Sequence, residues 1–216
     1  MEMKKHIQTS SETPFRGRFH NELGFGKKPN VESQSLSLSN IGNENSEKVF
    51  HRYHSEDLTK ILFLSKRGMS RGPLARELMR EVLKKSSYFG RIRPLSRGVS
   101  PAYDQCPLDK RMHNHCQKFG FALNGTSRFA TFADLTSAEI IITLDSESED
   151  FTLSHLEFIR GVVKPLGIFL CSGNTPFVPD PFERGDEISV DDRYDEIFEM
   201  IQLGCKKLLY ALPALL

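Results

Sequence analysis

Apolar positions fall into two kinds of run that alternate from about residue 60 onward. Short unbroken blocks at residues 60–64 and 140–144 read as strands buried on both faces. Weaker runs at 92–96 and 166–171 read as two further strands. Between them, apolar residues recur at helical spacing. Leu74, Leu78, Val82 and Leu83 share one face of a helix over 73–85 with proline near its start. Leu108, Met112 and Phe119 point inward from a helix over 107–119 that Gly120 stops. Tyr194, Ile197, Phe198, Ile201, Cys205, Leu208 and Leu212 mark a helix over 190–212, opened by Ser189 with Asp192 at capping-box spacing. Strands bare of polar residues, separated by helices, predict an α/β domain whose parallel sheet is covered on both faces.

The first 57 residues carry no such pattern. Ser, Asn, Glu, Lys and Gly dominate, as in Glu32-Ser33-Gln34-Ser35-Leu36-Ser37. So few apolar groups cannot offset the entropy of ordering the chain. The expectation is a disordered polar extension over 1–57 ahead of a folded domain over 58–216. A solvated extension is favoured over a tail that binds a partner or carries modified serines.

Charge and composition narrow the classes. A net charge of +1 argues against a general nucleic-acid surface. The 4 cysteines, Cys106, Cys116, Cys171 and Cys205, form no Cys-x-x-Cys unit, which argues against a zinc knuckle or redox dithiol and for reduced thiols in a cytoplasmic protein. No apolar run reaches the ~18 residues of a membrane span. Met1-Glu2-Met3-Lys4-Lys5 is not followed by the apolar block of a secretory signal; export by a non-standard route stays open. His113 and His115 are two apart and do not share a helical face, so no metal site is expected, only a surface histidine and a half-buried Cys116. Asp145 to Asp150 lacks calcium-loop spacing. Asp145 alone is placed to touch the loop described next, the others being a solvated helix start.

Candidate chemistry concentrates where the first strand meets its helix. Ser65-Lys66-Arg67-Gly68-Met69-Ser70-Arg71 is a short loop running into a helix N-terminus, where backbone N–H groups and the helix dipole favour an anion. Arg71, six residues after Ser65, can grip two oxygens of a phosphate. Lys66 and Arg67 either add positive potential at the mouth or are plain solvated cations. Three other segments follow strands at the sheet end where α/β folds bind ligands: Ser96-Arg97-Gly98-Val99-Ser100, Leu144-Asp145, and Val178-Pro179-Asp180-Pro181-Phe182. A carboxylic acid beside a phosphate loop, as at Asp180, can protonate a departing alkoxide or phenolate.

In this order and spacing, residues 60–212 resemble the low molecular weight protein tyrosine phosphatases. Arg71-x-Pro73-Leu74-Ala75 is similar to the family's loop end; Ser96-Arg97-Gly98-Val99 to its Ser-Ala-Gly-Thr turn; Ile141 to Asp145 to its apolar strand ending in Met-Asp; Asp180-Pro181-Phe182 to its Asp-Pro-Tyr-Tyr loop. Arg128 matches an arginine ahead of the third strand. The resemblance implies a three-layer α/β sandwich around a four-stranded parallel sheet, wound as in flavodoxin. It implies residues 66–71 as the phosphate cradle, Arg71 as the gripping arginine, Asp180 at the general-acid position, and no cofactor. It sets Ser65 where the family has its nucleophilic cysteine, Ser70 at its second cysteine, and Gly72 at the serine that stabilises the thiolate. Gly68 and Gly125 stand at the asparagine and histidine that support the loop. A serine hydroxyl is far less acidic than a thiol of pKa ~8.5 and needs a general base to attack. The expected function is therefore a tyrosine-phosphatase-like domain that binds phosphate or a phosphorylated protein with impaired or no catalysis. Two alternatives stand beside it. One is an active phosphatase, through a cysteine engineered to serine or an unusual nucleophile; the other is a scaffold acting through its N-terminal tail. An arsenate reductase of this fold would also need the missing cysteine.

Overall fold

The computed structural model describes residues 58–170, 176–183 and 189–216. The expected extension over 1–57 lies outside them, as does Cys171. Four strands form one parallel sheet: β1 (Thr59–Ser65), β2 (Ile92–Gly98), β3 (Ile140–Thr143) and β4 (Val162–Pro165), in the order β2-β1-β3-β4. The helices are α1 (Arg71–Lys84), α2 (Lys110–Lys118), α3 (Phe132–Thr136), α4 (Ser146–Leu153) and α5 (Val190–Leu215).

Alternation along each central strand divides the core into two layers. Ile61 and Phe63 of β1 with Ile140 and Ile142 of β3 pack under α1 and α5, against Leu74, Met79, Ile201 and Leu208. Leu62, Leu64 and Ile141 face the other way, against Leu135 of α3 and Ala130, with Phe151 of α4 half-buried there. Helices cover both faces, so this is the expected three-layer sandwich. The chain steps from β1 outward to β2, then back past β1 to β3. The winding direction therefore reverses between β1 and β3, and the crevice beyond their C-terminal ends is where such sheets take ligands.

Three details correct the sequence reading. The fourth strand is not 166–171: Val162–Pro165 pairs with β3, and Leu166–Phe169 is a 3₁₀ turn. That run is apolar because it lies under α5, where the fully buried Leu166 would sit 2.8 Å from a Cβ placed on Gly204. Proline can end this strand because β4 is at the sheet edge. Second, α2 starts at Lys110, with the Asp109 side chain accepting from the Arg111 N–H as N-cap. Phe119 is not an inward residue of that helix but its half-exposed C-cap, stacked 4.2 Å from Phe198. Third, His115 is buried rather than on the surface, and Cys116 is fully buried.

Candidate functional site: a loop of unpaired amides at the sheet switch point

Ser65 ends β1, buried, opposite Gly98 in the register. The chain then turns sharply at Gly68, whose φ of +66° favours glycine. A Cβ there would also lie 2.6 Å from the Gly98 N, so the loop backbone is pressed against the end of β2. Loop carbonyls are tied from outside. The Val99 N–H donates to Ser65 O and Lys66 O (3.1 and 3.2 Å), the Ser100 N–H to Lys66 O (2.9 Å), and the Asp109 N–H to Met69 O (2.9 Å). Asp109 is itself held by the Tyr194 hydroxyl of α5, which donates to Oδ2 at 2.7 Å. Burial, then the bond to Asp109, pushes the Tyr194 phenol pKa upward, so it stays a donor. Loop support, expected to be missing with the asparagine and histidine, is thus supplied by β2's trailing segment and by α2 and α5.

The N–H groups behave differently from the carbonyls. The Lys66 N–H donates to Asp145 Oδ2 at 2.8 Å. From Arg67 through Gly72, six consecutive backbone N–H groups donate to no protein acceptor among the described residues. A helix start explains some orphan donors, but the loop residues ahead of it extend the run beyond one, and a run of free amides suits an anion.

Arg71, the first residue of α1, is 4% exposed. Its guanidinium meets Asp145 at 2.7 Å, donates to Val178 O at 2.7 Å, and lies 3.6 Å from Asp180 Oδ2. Asp145 is the N-cap of α4, accepting from the Ser148 N–H, so its position is set by a helix start. A cavity of about 190 Å³ opens beside Arg71, walled by Asp145, Glu147, Val178, Asp180 and Glu183. Lys66 is paired with Glu147. That hydrogen bond raises the lysine pKa and lowers the glutamate's. Arg67 donates to Asp180 Oδ2 at 2.5 Å, its guanidinium carbon 4.7 Å from the Phe182 ring centre and 5.5 Å from that of Tyr103. Burial lowers its pKa, but the Tyr103 hydroxyl and Asp180 outweigh this and raise it. Neither cation is the freely solvated group, or the uncompensated charge, that the sequence suggested.

Ser65 Oγ would be 3.2 Å from a Cβ on Gly72, which sets it at the start of α1. The described histidines are engaged elsewhere: His113 with Leu123 O and Gln117, His155 with Phe151 O, His115 beside Asp195. The arrangement can hold a tetrahedral oxyanion on amides and a guanidinium; it does not set a histidine base on the serine.

The sequence model of the low molecular weight phosphotyrosine protein phosphatases matches residues 60–215. The chain belongs to that family. The low molecular weight protein-tyrosine-phosphatase YfkJ of Bacillus subtilis (strain 168) is 23% identical over 154 residues, spanning 70% of this chain and 94% of its own. Its crystal structure has a TM-score of 0.64, covering 73% of this chain and 96% of YfkJ. A protein tyrosine phosphatase of Entamoeba histolytica is 19% identical, with a TM-score of 0.64 over 72% of this chain and 97% of its own. DARP, a Drosophila arginine phosphatase, is 18% identical, with a TM-score of 0.62 over 71% and 98%. As a low molecular weight phosphatase domain, this chain keeps the family's sheet and a closed loop between β1 and α1.

Within this domain the residues singled out from the sequence, Ser65 to Arg71 and Asp180, do come together at one sheet end. Asp145, expected from its place after the clearest strand to touch the loop, holds both Arg71 and the Lys66 amide. Three other residues were passed over as parts of the site. Glu147, read as solvated, pairs with Lys66. Phe182 was visible only as part of a motif, and Tyr103 left no signal beyond following the β2 turn.

Proposed function

We propose that this domain binds phosphate, or a phosphorylated protein or other phosphate-bearing ligand, and cleaves the phosphate ester slowly or not at all. The observation that carries the reading is the run of six N–H groups without a protein acceptor, from Arg67 to Gly72, that leads from Ser65 to Arg71. Arg71 spends two of its five N–H donors on Val178 O and Asp145, which leaves donors for oxyanion atoms. Ser65 stands at the position of the family's attacking thiolate. A thiol there is easily ionised by amides and arginine, whereas a hydroxyl needs a base that the described histidines do not supply. Asp180, at the general-acid position, is held by Arg67 in an ion pair and so is turned to a partner within the protein. The names of the relatives favour a second reading, an active phosphatase. Three unpaired thiols, Cys106, Cys116 and Cys205, support placing the domain in a reducing cytoplasm. No described helix is long and apolar enough to cross a membrane.

Calorimetric titration with inorganic phosphate, run beside turnover assays on a phosphotyrosine peptide and on an aliphatic phosphomonoester, tests the proposal. Binding is expected without appreciable turnover. Arg71→Ala would leave Asp145 as a buried unpaired charge at a cost of about 3–5 kcal/mol, so Arg71→Lys is the better probe. It keeps the charge and loses the fork, and is expected to weaken phosphate about tenfold or more, ~1.4 kcal/mol. Appreciable turnover by the unaltered chain, lost in Asp180→Asn, would favour the active phosphatase instead.

A further inference from the structure

Arg67 does something the phosphate-binding role does not require. Its backbone belongs to the loop, but its side chain reaches Asp180. There it lies against two aromatic rings contributed by different segments: Tyr103, in the 3₁₀ turn Pro101–Tyr103 behind β2, and Phe182, two residues after Asp180. Both guanidinium-to-ring distances fall within the ~6 Å at which a cation is held by an aromatic face. Each wall is fixed in place. The Tyr103 turn follows Ser100, whose N–H is tied to Lys66 O, and its own N–H donates to Ser100 O. The Phe182 N–H donates to Asp180 Oδ1, while the other oxygen of that carboxylate takes Arg67 at 2.5 Å. Asp180 is 7% exposed and also 3.6 Å from Arg71, so the carboxylate that holds Arg67 against the two rings also neighbours the arginine of the candidate cradle.

Two aromatic faces beside an oxyanion site are suited to stacking a flat group attached to that oxyanion. Here the flat group is the protein's own guanidinium. A ligand bringing an aromatic ring would have to expel Arg67 from both rings and break its pair with Asp180, leaving a largely buried carboxylate with one partner fewer. A compact ligand held by the loop amides and Arg71 brings no ring to place there and can leave the Arg67–Asp180 pair intact. We infer that Arg67 is a specificity-determining residue: it fills the Tyr103–Phe182 slot and restricts the pocket to inorganic phosphate or phosphate on a slender aliphatic arm, excluding aryl phosphates. The inference rests on the phosphate-binding reading above and narrows its ligand.

The experiment compares inorganic phosphate with phenyl phosphate by calorimetry, in the unaltered protein and in Arg67→Ala. The readout is the ratio of the two affinities, which is insensitive to any uniform loss from disturbing the loop. The unaltered protein is expected to prefer inorganic phosphate at least tenfold, and Arg67→Ala to bring the two ligands within about threefold. Tyr103→Ala, which removes one wall and lets the guanidinium swing away, is expected to move the ratio in the same direction and covers the case in which Arg67→Ala does not fold. If phenyl phosphate binds the unaltered protein as tightly as phosphate, or if neither variant moves the ratio, the gate is overturned while phosphate binding stands. If no protein binds inorganic phosphate, the phosphate-binding reading fails and the gate falls with it.

Discussion

Ser65 and Gly72 are neighbours across the turn into α1, and together they set what the loop can do. A Cβ on Gly72 would meet Ser65 Oγ at 3.2 Å and Ser96 Cβ at 3.6 Å, close but not blocked by backbone. A serine at 72 therefore fits, and would set a hydroxyl beside residue 65. Ser65→Cys alone gains a thiol without that donor, so its turnover on an aliphatic phosphomonoester is expected to stay low. Ser65→Cys with Gly72→Ser is expected to exceed the single variant about tenfold or more, since a donated hydrogen bond lowers the thiol pKa. Equal rates would mean the hydroxyl is irrelevant here. His115 offers a second test at this scale. Burial lowers its pKa, opposed by Asp195, whose Oδ1 lies 3.1 Å from Nε2, and assisted by Lys118. A ring held neutral in the fold but free to take a proton when unfolded makes the unfolded state bind more protons below pH ~6.5. The stabilisation is complete above that pH and is lost as pH falls through the lower folded value. Melting temperature should decline over this window, and less so in His115→Gln; identical pH curves would contradict the assignment.

At the scale of elements, the loop is shaped by what β2 presses against it. The approach between Gly68 and Gly98 leaves no room on either side: a Cβ on Gly98 would lie 2.8 Å from the Arg67 carbonyl. Gly68→Ala adds an unfavourable left-handed backbone to that clash, so a loss of about 2 kcal/mol or more in denaturant unfolding is expected. A near-neutral result would mean the loop is not closed against β2. The same geometry explains why some of the site was legible in sequence and some was not. Strand β1, its loop and Arg71 are contiguous, so spacing alone placed them. Asp180 followed from a recognisable Asp-Pro. Tyr103, Glu147 and the Asp109–Tyr194 support are brought in by tertiary packing, which local pattern does not encode even where, as at Tyr194, it marks the helix. The fourth strand failed for a related reason. A short apolar run can be a strand or a buried turn, and Leu166–Phe169 is the latter because α5 lies over it.

Across the whole molecule, the α/β class and its layers were readable because β1 and β3 are apolar on both faces and the helices carry single apolar stripes. The strand order was not a matter of pattern; it came through the resemblance, and the sheet β2-β1-β3-β4 agrees with it. That order sets the loop, Asp145 and Asp180 at one switch point, where phosphate chemistry or mere phosphate capture is equally accommodated by the scaffold. What separates the two is whether a covalent phosphoenzyme forms. A competent loop expels water from inorganic phosphate as the nucleophile takes phosphorus, then rehydrolyses the adduct and so washes solvent oxygen into phosphate. Phosphorus-31 spectra of inorganic phosphate with the protein in oxygen-18 water read both events at once. The account predicts a phosphate resonance broadened or displaced by the protein, an effect diminished in Arg71→Lys, with no isotope shift from incorporated oxygen. A resonance indifferent to the protein, or steady incorporation of solvent oxygen, would contradict it.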